Sequence, residues 1–293
     1  MLLIAGTVPV PEMPLVLAPA HREGDCLRLA EYGLPCTQGT MAMVSAALAT
    51  TSHLGLPPPQ VLTAGDIGTG SGTRLIYDYL VEHLEELRPE VLALHYCQPI
   101  IALMKKLYEA IGQFSSPPRL VADAGSMYAA KAAGLAPHFD IFTPDPSEIA
   151  FLADPEASHP AYISRYLFED MEEKVPELIE KAYACRGASR VLLVKGKADY
   201  VAKEGKILYE TREPNIPAME CIGGTGDTIT GMVAAFLSGG LDPEEAAVLA
   251  AKANRAAAEM VKPTPATRVS AIIDAFPQVF KENLCAWSGV CIR

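Results

Sequence analysis

Residues 221–231 read Cys-Ile-Gly-Gly-Thr-Gly-Asp-Thr-Ile-Thr-Gly and stand directly before an apolar helical pattern. Glycines let a backbone take positive φ and come close to a ligand, and successive amides at a helix start form a nest for an anion. A carboxylate beside that nest, Asp227, can serve as a base. The same residues also fit a glycine-rich turn with Asp227 as a helix N-cap.

Three further stretches place reactive groups where apolar runs end. In Phe142-Thr143-Pro144-Asp145-Pro146-Ser147-Glu148, a carboxylate lies on the first turn of a new helix. Glu148 can hold Mg²⁺ or its waters, since hard cations prefer oxygen ligands; equally, Asp145 or Ser147 caps the helix and Glu148 favours its dipole. In Leu192-Leu193-Val194-Lys195-Gly196, a cation and an unhindered backbone close a strand, or simply form a hairpin-like turn with a solvated lysine. Asp123 ends Leu120–Ala122, to face a cleft or to cap the helix beginning near Ser126.

The loop Ala64-Gly65-Asp66-Ile67-Gly68-Thr69-Gly70 lacks the spacing of a dinucleotide fingerprint. It still permits close approach of a ligand at Gly68, and Asp66 is a candidate for a substrate hydroxyl or for an Asx-turn. His95, at the end of another apolar run, reads as a hydrogen-bonded structural histidine rather than as part of a hydrolytic triad.

Elements that would position these groups follow from hydrophobic period. Strands are expected at 61–64, 91–95, 120–122, 141–143 and 191–194, with helices at 74–87, 100–111, 176–186, 228–237 and 243–261. Alternation of this kind implies a three-layer α/β/α sandwich around a mainly parallel sheet, whose ligands bind at the carboxyl ends of its strands. Residues 1–60, rich in proline and small residues and closed by Pro57-Pro58-Pro59, read as an N-terminal extension packed on a catalytic domain of residues 61–293.

Composition narrows the partners. A net charge of −11 with dispersed lysines and arginines argues against nucleic acid, although local amides and one or two lysines still suffice for an anionic nucleotide. No run of about 18 uncharged apolar residues suggests a membrane span. Met1 to Gly6 lacks the basic lead of a signal peptide, so a cytoplasmic protein is expected. Seven scattered cysteines read as reduced buried thiols, with Cys285 and Cys291 poorly spaced for zinc.

Taken in order, Asp123, the Thr-Pro-x-x-x-Glu of 143–148, Lys195-Gly196 and the Gly-Thr-Gly-Asp of 224–227 resemble the ribokinase-like superfamily. Within it the chain looks like the ADP- or ATP-dependent NAD(P)H-hydrate dehydratases over roughly residues 60–275. The resemblance implies a ribokinase-like fold using ATP or ADP with Mg²⁺. It makes the amides of Gly224, Thr225 and Gly226 an anion hole and Asp227 the catalytic carboxylate. Lys195, Gly196 and Gly223 would lie near the nucleotide, Glu148 would organise the metal, and Asp66, Gly68 and Asp123 would face the substrate.

The implied substrate is a small molecule, hydrated NADH or NADPH, whose hydroxyl is phosphorylated before phosphate leaves. Two departures stand at the substrate end. The family carries Thr-Pro-His-Pro-Gly-Glu where this chain has Asp145 and Ser147, and Gly-Pro-Gly-Leu-Gly where it has Tyr96-Cys97-Gln98-Pro99-Ile100. A kinase of a small hydroxylated metabolite, sugar or vitamin precursor, is therefore the alternative, followed by a nucleotide sensor without turnover; homo-oligomer formation is left open.

Overall fold

Every residue of Leu2-Leu3-Ile4-Ala5-Gly6-Thr7-Val8 is buried, as a parallel strand covered on both faces requires. This run, β1 (Leu2–Val8), forms the middle of a nine-stranded sheet in the computed structural model, which describes residues 1–157 and 171–289. The strands that follow in the N-terminal part are β2 (Val16–Pro19), β3 (His21–Glu23), β4 (Cys26–Leu29), β5 (Tyr32–Pro35) and β6 (Gln60–Gly65). Then come β7 (Val91–His95), β8 (Arg119–Ala122), β9 (Ile141–Phe142), β10 (Val191–Val194), β11 (Asp199–Lys203) and β12 (Lys206–Thr211).

The helices are α1 (Thr40–His53), α2 (Ser71–Leu87), α3 (Ile101–Ile111), α4 (Ala124–Ala132) and α5 (Pro146–Ala153). They continue with α6 (Val175–Ala184), α7 (Thr225–Ser238), α8 (Pro243–Val261) and α9 (Val269–Ser288).

The sheet order is β12-β11-β10-β9-β8-β7-β1-β6-β2, with β3, β4 and β5 forming a separate small sheet. From β6 to β10 the pairings are parallel; β2 on one edge and β11 and β12 on the other are antiparallel. Alternation along the strands feeds two cores. Leu2, Ile4, Val91 and Val121 face α1, α7, α8 and α9, while Leu3, Leu92, Leu94 and Leu120 face α2 to α6. This is the expected α/β/α sandwich with a mainly parallel sheet.

The first 60 residues are not an extension laid on a finished domain, which corrects that expectation. β1 pairs with both β6 and β7, and α1 packs against α7 in the same core. The short apolar run at the start of the chain was too brief to separate a buried strand from other apolar segments by period alone. The thiols also need correction. Cys36 and Cys97 are buried and free, but Cys221 is exposed, and Cys285 on the solvent-facing end of α9 is disulfide-bonded. Cys291 lies outside the described residues.

Close approach of α1 and α7 depends on Gly231. A Cβ there would stand 2.1 Å from the Met43 carbonyl oxygen, a backbone atom that cannot rotate aside. Gly231→Ala is expected to destabilise the fold by about 1–3 kcal/mol, as overpacked core positions do. Denaturant unfolding measures this, and a variant as stable as the parent would show that the α1–α7 interface yields more easily than its geometry implies.

Candidate active site

Because β7 to β10 are parallel neighbours, the residues that end them share one edge of the sheet. His95 ends β7, Asp123 follows β8, Thr143 follows β9 and Lys195 follows β10. α7 starts at the same edge and brings Asp227 on its first turn. A cavity of about 530 Å³ opens there, lined among others by Asp123, Glu148, Lys195, Gly224, Thr225 and Asp227. Larger clefts of about 730 and 810 Å³ lie at the amino end of the sheet around Arg119, away from these groups.

The turn before α7 is built for close approach. Gly224 takes φ 96°, and a Cβ there would press against Thr37 and Gln38 at 3.0 Å, so both the conformation and the space favour glycine. Gly224 is the helix N-cap without a side-chain cap, and the first α7 amide to bond back to it is that of Thr228. Among the described residues, the amides of Thr225, Gly226 and Asp227 thus stand at the positive end of α7 without an intrahelical acceptor. That arrangement suits an anion, with Lys195 beside Gly226.

Asp227 is nearly buried, yet both carboxylate oxygens are held. Oδ2 accepts the Gly39 amide at 2.6 Å, and Oδ1 lies 3.1 Å from His95 Nε2. Burial alone would push its pKa up. The hydrogen bond and charge of His95, the Lys195 ammonium and the Gly39 amide outweigh that and hold the carboxyl below its ordinary value.

Asp123 accepts Lys195 Nζ at 2.9 Å and Thr230 Oγ1 at 2.6 Å through Oδ2, while Oδ1 accepts the Ala124 amide. It therefore caps α4 and faces the cleft at once. Burial disfavours the Lys195 charge, but Asp123, Glu148 and Asp227 more than compensate and raise its pKa above the ordinary lysine value. Lys195-Gly196 does lie in the turn between antiparallel β10 and β11, but the ammonium points inward rather than into solvent.

Glu148 completes a capping box with Asp145: the Glu148 amide donates to Asp145 Oδ1 and the Asp145 amide to Glu148 Oε2, each at 2.8 Å. Its Oε1 accepts the Tyr128 hydroxyl at 2.7 Å. Burial first, then repulsion from Asp145 and Asp123, raises the Glu148 pKa to about 8. A carboxyl so destabilised in its charged form, beside other carboxylates on the cavity wall, has the donor chemistry for a hard cation such as Mg²⁺.

Three of the candidate residues stand apart from the cavity: Gly223, where a Cβ would face the Gln38 side chain, and Asp66 and Gly68 in their own loop. Asp66 accepts the amides of Gly68 and Gly70 at 3.0 Å and both the amide and hydroxyl of Thr73, so its lone pairs serve its own loop. Burial would raise its pKa, but these donors keep it low. Neither Asp66 nor Gly68 lines the 530 Å³ cavity, and the Asx-turn reading describes them.

Reading by motif passed over Gly39, Thr40, Thr230 and Arg255. Arg255 Nε donates to Asp199 Oδ2 at 2.6 Å, and the other nitrogens bond the carbonyls of Gly196, Lys197 and Arg212, pinning the turn that carries Lys195. Asn254-Arg255 within the run Ala250 to Ala258 was the available signal, a polar pair on an otherwise apolar helix face. Gly39 and Thr40 carried none, since neither lies in a motif.

A mainly parallel nine-stranded sheet with helices on both faces is the fold of ribokinase-like proteins. The family model described as NAD(P)H-hydrate dehydratase, of the carbohydrate-kinase type, matches residues 99–277, and the chain belongs to that family. Over 242 residues, 83% of this chain and 100% of the relative, it is 40% identical to an uncharacterized protein of Methanocaldococcus jannaschii. It is 34% identical over 115 residues to the bifunctional NAD(P)H-hydrate repair enzyme of Pyrobaculum aerophilum, a match covering 39% of this chain and 22% of that protein.

Among solved structures, the ADP/ATP-dependent NAD(P)H-hydrate dehydratase of Bacillus subtilis superposes with TM-score 0.57 at 18% identity, covering 96% of this chain and 90% of that one. Phosphofructokinase-2 of Escherichia coli does so with TM-score 0.54 at 13% identity, covering 95% and 99%. Both likenesses concern the fold. No helix among the described residues is long and apolar enough to cross a membrane.

The raised pKa of Glu148 has a stability consequence. A carboxyl whose folded pKa lies above its unfolded value contributes fully below the unfolded value and loses that contribution as pH rises through the folded one, here about 8. Without divalent cations the wild-type melting temperature should fall between about pH 5 and about pH 8 more steeply than that of Glu148→Gln, which cannot ionise. Parallel melting curves for the two proteins across that range would refute the assignment.

Proposed function

We propose that this chain is a nucleotide-dependent NAD(P)H-hydrate dehydratase that acts by phosphorylating the hydroxyl of its substrate. The observation that carries the reading is Asp227: an ionised, two-sided hydrogen-bonded carboxylate at the N-terminus of α7, beside Lys195, in a chain of this family. Asp227 would take the proton of the attacking hydroxyl as its oxygen bonds the terminal phosphorus and the nucleotide's P–O bond breaks. The amides of Gly224, Thr225 and Gly226 would face the transferring group, supported by Lys195. Glu148 would hold Mg²⁺ or its waters, and the ion would supply charge neutralisation at the phosphate oxygens. The nucleotide would be ATP or ADP and would lie against Gly196, which lines the cavity; the Bacillus subtilis relative was crystallised with ATP and Mg²⁺. Loss of phosphate from the phosphorylated hydrate then restores the dihydronicotinamide.

A kinase of another small hydroxylated metabolite is the second reading. It is favoured by Asp145, Ser147 and Tyr96, which stand where the family pattern has histidine and glycines. Tyr96 lines the cavity with φ 51°, so the side chain occupies space that a glycine would leave open.

Purified protein with ATP or ADP and Mg²⁺ is expected to restore the absorbance of NADH from its hydrate, and Asp227→Asn to lower that turnover at least about a hundredfold while nearly keeping nucleotide binding. Nucleotide consumption with an alcohol, sugar or vitamin precursor but not with either hydrate would select the kinase. Undiminished turnover in Asp227→Asn would remove both readings.

A further inference from the structure

His95 ends β7 with its ring wholly buried at 0% exposure, and its hydrogen bonds decide its protonation state. Thr40 Oγ1 lies 2.7 Å from the carbonyl oxygen of Thr7, which has no proton to give, so the hydroxyl proton of Thr40 is committed there. The lone pairs of that hydroxyl then face His95 Nδ1 at 3.2 Å, and Nδ1 must carry the proton of this contact. On the other side of the ring, Nε2 lies 3.1 Å from Asp227 Oδ1 and 3.7 Å from Asp123 Oδ2. A neutral ring protonated on Nδ1 would aim its remaining lone pair at two carboxylates. A second proton on Nε2 converts that repulsion into a charge-assisted hydrogen bond.

Charge balance points the same way. Asp123 and Asp227 are two buried anions within reach of one another, and Lys195 supplies one cation at 2.9 Å from Asp123. Imidazolium at 95 brings the cluster to neutrality, which buried ionised groups require.

We infer that His95 is a positioning residue of the active site, a buried imidazolium that orients the Asp227 carboxylate and keeps it ionised for proton abstraction. The inference deepens the reading of Asp227 as base and rests on it. With Oδ1 held by His95 and Oδ2 by the Gly39 amide, the carboxylate plane is fixed, and the remaining lone pairs are left for the incoming hydroxyl. During transfer the substrate's proton moves to Asp227, the oxygen–phosphorus bond forms, the nucleotide's P–O bond breaks, and His95 keeps both of its protons. Once Asp227 is neutral, the imidazolium charge is no longer cancelled by it and adds to that of Lys195 at this edge of the sheet.

The charged and titratable groups facing this pair are Asp123 from the end of β8, Lys195 from the end of β10 and Tyr96, whose ring lies edge-on to His95 with centroids 4.5 Å apart. α1 contributes the non-titrating hydroxyl of Thr40 and the amide of Gly39.

The first test needs no substrate. Nitrogen NMR of the full chain labelled on histidine, with His95 assigned by its loss in His95→Gln, should show both ring nitrogens protonated at about pH 7. A ring with one bare nitrogen overturns the inference. The second test is kinetic. His95→Gln keeps a donor toward Asp227 without the charge, so kcat should fall at least about tenfold with the KM for ATP within about twofold.

The acid limb of the pH profile should also move to higher pH, because Asp227 loses its nearest cation. His95→Ala, which lacks the donor as well, should fall further, by about a hundredfold. Wild-type kcat and an unmoved acid limb in His95→Gln would mean that the histidine is structural only. If the wild-type protein turned over nothing, the NMR result would still decide the state of His95, and the failure would belong to the functional reading.

Discussion

Four ionisable side chains, Asp123, Asp227, Lys195 and His95, are packed together at one edge of the sheet, and their mutual neutralisation constrains what surrounds them. An isolated buried charge costs several kcal/mol, whereas paired and hydrogen-bonded charges are tolerated. Each member therefore needs fixed neighbours: the Gly39 amide and His95 for Asp227, Thr230 for Asp123, and Thr40 for the far side of His95. Those neighbours come from β7, α1 and α7, and the fold that holds them is the one that makes the cluster affordable.

The parallel sheet explains why the cluster forms where it does. Strands running the same way end at the same edge, so β7, β8, β9 and β10 deliver His95, Asp123, Thr143 and Lys195 side by side without any loop reaching across the molecule. Helix termini then add their dipoles, α7 toward the cavity and α1 through Gly39 toward Asp227. Arg255 plays the supporting part from α8, tying the Lys195 turn to neighbouring chain through four backbone carbonyls and the Asp199 carboxylate. Rigidity at the turn fixes where the Lys195 ammonium stands relative to Asp123 and the start of α7.

The Tyr96 side of the cavity has a different character. Tyr96 sits at φ 51° and remains half-exposed at the cavity, with its carbonyl held by the Thr7 hydroxyl at 2.6 Å. An aromatic residue in the left-handed region is strained, and the Thr7 hydroxyl from β1 is the hydrogen bond that ties its backbone down. This is also where the chain departs from the glycine loop of the family it resembles, so the buried charged cluster and the departing loop meet across the His95–Tyr96 peptide.

Local pattern was enough to determine a good deal. The period of the apolar residues placed most of the helices and the parallel strands, including α8 at both of its ends, because each such element writes its buried face into its own sequence. The glycines before Asp227 likewise announced a tight turn that opens a helix, since the positive φ of Gly224 is a property of a few consecutive residues. What the sequence by itself did not determine was which distant residues would meet. β1 reads as one more short apolar run, and only its pairing with β6 and β7 makes the first 60 residues central rather than peripheral.

Asp66 and Asp123 look alike in sequence, each an aspartate after a strand; their strands' positions in the sheet sent one into its own loop and the other into the cleft. His95 and Gly39 find Asp227 across 132 and 188 residues of chain. No spacing rule reaches that far, because the hydrogen bonds that define the site are set by strand order and helix packing, and those exist only once the chain has folded.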